Sequence, residues 1–318
     1  MRLQSQAGPN VAVLTPVLDF LKDCVSGLAT GSIYALLALG LTLIYQVSGI
    51  VNFAQGALAA VGVYVLWSLT YQWPFAAGGL PFWPAALLAV VVVFLLGVLL
   101  QTLFLQRLQR SPATAVIVTL GLFITLEGGI GLIWGQATPP TTLSLPFTPG
   151  LVTVGALTVS GLDLTAIGVT VVLMLVFFAF LRFTHAGASL RAVAQSPQGA
   201  RLVGIRVDRV RLAAWGIGAA LAAVAGVLIA TATFTQQSPT LADVYLLSAF
   251  AGAVIGGLDN LVGAAVGALL VGIVQSLVAL YAPQALLPYK DGVVFALLLA
   301  VLFVRPAGLF GVAVQRRV

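Results

Sequence analysis

The sequence predicts an all-α fold: a polytopic transmembrane helical bundle of about eight spans, with two segments broken or re-entrant. Three observations predict it. Of 318 residues, 61% are hydrophobic and only 7% charged, against roughly 25% charged in a soluble domain, so a water-facing surface cannot be built. Apolar runs recur from near Ala35 to Val304 with short polar breaks, and each crossing of a hydrocarbon core about 30 Å thick takes about 20 apolar residues. The basic residues cluster between those runs instead of spreading along the chain. Length leaves no room for a separate soluble domain, so 1–318 reads as one transmembrane domain.

Taken in order, the first span is Val25–Gln46. Before it, Asp19, Lys22 and Asp23 interrupt the apolar stretch Val11–Leu18 and no small-residue cleavage pattern follows. No removable signal is therefore read, and an amphipathic helix along the interface is the alternative reading of Met1–Val25. The glycine-punctuated stretch VSGIVNFAQG (Val47–Gly56) comes next, then an apolar segment Ala57–Leu69. Trp67, Tyr71, Trp73 and Trp83 flank the loop around Pro74–Pro81, as an aromatic belt would. Phe82–Leu105 and Ala113–Trp134 complete a first helical half, 24–134. The outer loop 135–161 is rich in Pro and Thr, and its alternating patch Leu151–Val159 predicts a short hairpin. A second half, 162–311, contains Leu162–Leu181, Leu212–Thr233, a short piece Val244–Ile255 broken by GGLDN (Gly256–Asn260), Leu261–Tyr281 and Asp291–Val304. The two broken segments share one pattern, a helix, a glycine-rich break with Asn and a second glycine-rich helix, which suggests an internal repeat.

The net charge is +6, and its placement orients the chain. Arg182, Arg191, Arg201, Arg206, Arg209 and Arg211 fall in one inter-span loop, 182–211; Arg107 and Arg110 follow another span, and Arg305, Arg316 and Arg317 close the chain. The positive-inside rule puts all three clusters, and the C-terminus, in the cytoplasm. Counting back places the N-terminus outside. Nucleic acid is not an expected partner, because the arginines border spans and lack interleaved aromatics. Cys24 is the single cysteine and has no partner for an internal disulfide.

Functional expectations follow from the breaks. Non-helical backbone survives within hydrocarbon only when buried in protein or beside a cavity, and discontinuous helices present free backbone groups to substrates near the midplane. Asn52, Gln55 and Gly56 are therefore expected along a substrate pathway, with Gly256, Gly257, Asp259 and Asn260 as weaker counterparts. Glu127 is the carboxylate well inside a span; a central acid costs about 2.5–3.5 kcal/mol unless paired or hydrated, so it joins the pathway candidates. Asp163, Asp243 and Lys290–Asp291 lie at span ends and read as interfacial anchors. No GxxxxGK[ST], GxSxG or HExxH motif is present, and His185 stands alone. The expectation is a transporter and not an enzyme, with no cofactor on this chain. In the loop RFTHAGASLRAVAQSPQGARLVGIRVDRVR, Ser196 is placed to cap a short helix beginning at Pro197, which would lie across the cytoplasmic face as a docking element.

At this point the residues carry a resemblance. GSIYALLALGLTLIYQVSGIVNFAQG (Gly31–Gly56), AQSPQGARLVGIRVDRV (Ala194–Val210), AFAGAVIGGLDNLVGAAVGALLVG (Ala249–Gly272) and VLFVRPAGLFG (Val301–Gly311) resemble branched-chain amino-acid ABC permeases of the LivH type, in order along nearly the whole chain. The resemblance implies a heteromeric importer in the inner membrane, with a second permease subunit, two ATPase subunits carrying ATP and Mg, and an extracytoplasmic solute-binding protein. It implies an ATPase-coupling loop at Ser196, Pro197, Gln198, Gly199, Ala200, Arg201 and Gly204. The chain departs from the family pattern where Gln198 and Gly199 replace a common Glu-Ala, where Gln55 stands for a frequent His, and where Glu127 stands for a more usual neutral amide; urea and short-amide importers are among the relatives. An ion-coupled secondary transporter is the alternative reading, with Glu127 as its one intramembrane ion ligand, and a membrane enzyme is disfavoured because catalytic polar residues do not cluster.

Overall fold

The computed structural model describes residues 9–71, 79–108, 111–135, 150–154, 157–232, 241–283 and 290–311. Helix α1 (Pro9–Ser48) has 40 residues, about 60 Å at the usual rise. The separate interfacial helix expected before Val25 is thus corrected: from Pro9 onward those residues continue one rod. Asp19 and Lys22 are exposed in its N-terminal third, so their charges do not need a break in the helix to reach water. α2 (Gln55–Tyr71) follows an interruption at Gly49–Ala54.

α3 (Phe82–Leu100) runs on through a π-helical turn, Gln101–Leu105, into a last turn, α4 (Gln106–Leu108). Ser111 caps α5 (Pro112–Trp134) by accepting from the Thr114 amide at 3.1 Å, with Pro112 in the first turn. β1 (Leu151–Val154) and β2 (Leu157–Ser160) form the expected antiparallel hairpin, Val152 opposite Val159. Then come α6 (Gly161–Phe183), α7 (His185–Gln195), α8 (Pro197–Leu202), α9 (Val207–Ala232), α10 (Leu241–Gly256), α11 (Leu261–Tyr281) and α12 (Lys290–Val304). Among the described residues six helices are long and apolar enough to cross a bilayer: α1, α3 with its π turn, α5, α6, α9 and α11. α2, α10 and α12 are shorter, at 17, 16 and 15 residues. The bulk of the outer loop (136–149), Trp73, Arg110, Arg316 and Arg317 and the side chains of Lys290 and Asp291 lie outside the described residues.

Burial sorts the helices into layers. The apolar windows of α1 and α9 are 89% and 72% buried, those of α5 and α6 only 17% and 22%. α1 and α9 therefore form the centre, and α5 and α6 turn apolar faces to lipid. Glycine permits the central contacts: a Cβ on Gly27 would stand 2.8 Å from the Ile273 Cα, and one on Gly62 2.9 Å from the Ala223 Cα. Where hydrophobic burial no longer discriminates, such close approach supplies the dispersion that holds helices together. Many small polar side chains satisfy themselves on their own helix, as when Ser32 donates to the Leu28 carbonyl at 2.7 Å and Thr165 to Gly161 at 2.7 Å.

One aromatic departs from the belt expected of it. Trp83 and Tyr71 are exposed, but Trp67 is only 5% exposed and packs with Phe82 and Val227. Trp67 lies one turn before Tyr71 on the face of α2 that meets α9, so it serves the core. A buried polar chain also crosses three helices: the Tyr34 hydroxyl donates to Gln275 Oε1 at 2.6 Å, and Gln275 Nε2 donates to Ser248 Oγ at 3.1 Å. Gln275→Leu removes both bonds and is expected to destabilise the bundle by about 1 kcal/mol. A melting midpoint in detergent lowered by a few degrees would register it; an unchanged midpoint would show the chain to be energetically neutral.

Candidate functional site: a buried break and an arginine-rich elbow

The first break is built around Gly49 and Asn52. Gly49 has φ +72°, a conformation glycine adopts without steric cost, and its amide closes α1 on the Tyr45 carbonyl at 2.7 Å. Asn52 Oδ1 accepts from the Ala54 amide at 3.1 Å, and Asn52 Nδ2 donates to Gln55 Oε1 at 3.2 Å. Gln55 Nε2 donates in turn to the Gly218 carbonyl of α9 at 2.9 Å. Gly218 is close to the midpoint of α9 and also faces Gly40 of α1. Helix α2 therefore begins halfway down the bundle instead of at its surface, as the sequence reading of a re-entrant segment required.

Asn52 and Gln55 are both 0% exposed, and Gly56 is buried beside them. Their amides are directed at each other and at the backbone, so in this conformation they hold the break shut. Thr119 of α5 reaches the Val51 carbonyl at 3.3 Å, and Phe53 lies against Phe250 of α10 with ring centroids 6.0 Å apart. α1, α5, α9 and α10 thus all converge on one interruption.

Glu127 is not part of that cluster. It stands two turns beyond Thr119, about 12 Å nearer the C-terminal end of α5. There its carboxyl neighbours that of Asp243 on α10, and one buried oxygen of each has no hydrogen-bond partner among the described residues. Asp243, read from sequence as an interfacial anchor, was missed as a neighbour because Glu127 and Asp243 lie on helices far apart in the sequence, α5 and α10.

The second break is of another kind. Gly257 takes φ +107°, and Asn260 Oδ1 caps α11 by accepting from Val262 and Gly263 amides at 3.0 and 3.1 Å. The spacing from positive-φ glycine to asparagine equals that from Gly49 to Asn52, so the suspected repeat has a local geometric basis. Asp259 is exposed, however, and the turn merely reverses the chain between α10 and α11. Its free carbonyls are met from the C-terminal segment: Leu309 donates to Ile255 at 2.8 Å and Phe310 to Gly256 at 3.1 Å.

The arginine-rich loop folds as an elbow. Thr184 Oγ1 caps α7 by accepting from Gly187 at 3.0 Å, and Ser196 Oγ caps α8 by accepting from Gly199 at 3.0 Å with Pro197 in the first helical turn. Gly204, at φ +83°, turns the chain toward α9. Leu190, Val193, Ala200 and Val207 are buried and fix the elbow to the core. Gln198 and Arg201 are exposed. So, unexpectedly, are two apolar side chains at the tip: Leu202 is 89% exposed and Val203 75%. The sequence did contain that apolar pair, directly after Arg201 in a loop otherwise rich in charge.

A central pair of helices, an interrupted helix reaching mid-depth and a capped arginine-rich elbow define a polytopic membrane permease. The family model for the permease component of branched-chain amino acid transport systems matches residues 24–302, and the chain belongs to that family. It is 31% identical over 306 residues to the high-affinity branched-chain amino acid transport system permease protein LivH of Escherichia coli, covering 92% of this chain and 96% of that one. It is 29% identical over 302 residues to the permease protein BraD of Pseudomonas aeruginosa, with 93% and 97% covered. It is 32% identical over 295 residues to a probable LivH of Methanocaldococcus jannaschii, with 88% and 89% covered. No solved structure matches the chain.

Proposed function

We propose that this chain is the membrane-spanning permease subunit of an ATP-driven importer of branched-chain amino acids or similar small amino-acid and amide solutes, placed in the inner membrane with its C-terminus in the cytoplasm. The observation that carries the proposal is the elbow: a doubly capped helix pair, fixed to the core on one side, presents Leu202 and Val203 to water on the other. Exposed apolar groups rimmed by polar ones mark a surface that a partner covers, and the family assignment supplies the partner class. Two ATPase subunits holding ATP and Mg would cover the elbow at Ser196, Pro197, Gln198, Gly199, Ala200, Arg201 and Gly204. A second permease subunit and an extracytoplasmic solute-binding protein complete the assembly.

Closure of the ATPases would press on α8 and, through Gly204, displace α9. Because Gln55 is bonded to the Gly218 carbonyl, movement of α9 loads the break at Gly49–Ala54; Asn52 within it, and Gln55 and Gly56 at the start of α2, then form part of the substrate pathway. Glu127 and Asp243 lie on its outer approach. Small apolar solutes suit a passage lined mainly by Ala, Val, Leu and Phe, and the binding protein rather than this chain sets selectivity.

Reconstitution in liposomes tests the reading. Uptake of labelled leucine is expected only with ATP, both ATPases and the binding protein present, and Glu127→Gln is expected to retain it. Leucine uptake driven by an ion gradient without nucleotide, and lost in Glu127→Gln, would establish the ion-coupled mechanism in its place.

A further inference from the structure

Gln101 stands where α3 passes into its π turn. The Gln106 amide bonds back to the Gln101 carbonyl, five residues earlier instead of four. Gln101 is 0% exposed, yet neither Oε1 nor Nε2 has a hydrogen-bond partner among the described residues. Two enclosed donors on α9 share that condition, Trp215 Nε1 and Arg211 Nε. α3 and α9 meet one turn away: a Cβ on Gly97 would stand 2.8 Å from the Trp215 carbonyl oxygen. Gln101 follows Gly97 by one turn on the same face of α3, and Arg211 precedes Trp215 by one turn on α9. The helices run in opposite directions, α3 toward the cytoplasmic Arg107 and α9 away from the elbow. Their register therefore brings Gln101 level with Arg211 and one turn from Trp215.

Buried polar groups in native proteins are nearly always bonded, so three such groups on two facing helices call for a common account. π turns recur at functional positions, where one extra residue lets a helix change register locally. α9 is also the helix that the elbow moves, since Ile205 donates to the Ala200 carbonyl of α8 at 3.0 Å and Gly204 forms the joint.

We propose that Gln101, Arg211 and Trp215 form a polar latch between α3 and α9, open in this conformation and closed in the other conformation of the transport cycle, with the π turn as its pivot. On closure the indole N–H and the guanidinium donate to the Gln101 carboxamide oxygen. The latch rests on the reading that the elbow drives α9.

The test uses the complete importer in liposomes, spin-labelled at Leu103→Cys and Arg209→Cys in a Cys24→Ala background. In the wild type, ATP binding is expected to change the label separation. Gln101→Leu, which removes the polar atoms at similar bulk, is expected to melt no lower than the wild type and to keep its ATPase activity. It should lose the distance change and reduce uptake by about tenfold, the size of a typical coupling between sites. Trp215→Phe, which keeps an aromatic ring and deletes the donor, should move in the same direction. The latch is overturned by a Gln101→Leu importer with wild-type uptake and distance change. It is overturned equally if uptake falls only together with the melting midpoint, since that pattern belongs to packing. Retained ATPase activity separates a failed latch from a failed elbow, whose variants uncouple the ATPase itself.

Discussion

Leu202→Ser combined with Val203→Ser is expected to reduce nucleotide-driven uptake at least tenfold while leaving the chain folded and inserted. Covering a fully exposed leucine or valine contributes about 1.5–3 kcal/mol, and about 1.4 kcal/mol already equals a factor of ten in binding. Neither side chain contributes to this subunit's own core, because Leu202 is 89% and Val203 75% exposed, so the loss falls on the complex alone. Co-purification of the ATPases and binding-protein-stimulated ATP hydrolysis should both decline with uptake. Arg201→Ala, on the rim, is expected to have a much smaller effect, since exposed charges contribute about 0–1 kcal/mol. Deletion of Ser196–Gly204 should abolish uptake and still leave the protein in the membrane. If the double serine variant transports normally, the partner docks elsewhere.

Features governed by local chemistry were legible in the sequence. Ser196 before Pro197 specified the start of α8, the alternation at Leu151–Val159 specified the hairpin, and Gly49 with Asn52 marked the first interruption. Each depends on a few adjacent residues, and lipid as solvent makes their backbone requirements strict. Features that depend on which helices become neighbours were not legible. Nothing near Trp67 says that its face of α2 meets α9, and nothing links Asp243 to Glu127 across more than a hundred positions. The length of α1 was misjudged for a different reason: Asp19, Lys22 and Asp23 end hydrophobicity without ending a helix. The two glycine-rich breaks looked alike for a good physical cause, since both use a positive-φ glycine three residues before an asparagine whose side-chain oxygen accepts a nearby backbone amide. Only tertiary packing distinguishes the one sealed at mid-depth from the one turned to the surface.

Asn52→Ala is expected to be the most damaging single substitution at the break. It removes the acceptor of the Ala54 amide and the donor to Gln55 Oε1, both at a residue with 0% exposure. Leaving a buried polar group unsatisfied costs about 1–3 kcal/mol, so two such groups cost about 2–6 kcal/mol, a large share of a stability of about 5–15 kcal/mol. Gln55→Leu should cost less, because the Gly218 carbonyl it deserts still lies within α9 and keeps its helical partner, leaving chiefly Asn52 Nδ2 unpaired. Gln55→His supplies a ring N–H toward the same carbonyl and should come nearest to the wild type in melting behaviour. Since Asn52 and Gln55 share a bond, the double variant should lose less than the sum of the single losses. Thermal melts of the four proteins in detergent decide the ranking. Uptake by the folded Gln55→His importer then asks the separate question of passage: unchanged stability with an altered rate of leucine uptake would assign the break to the pathway, whereas full stability with unchanged uptake would leave it a scaffold.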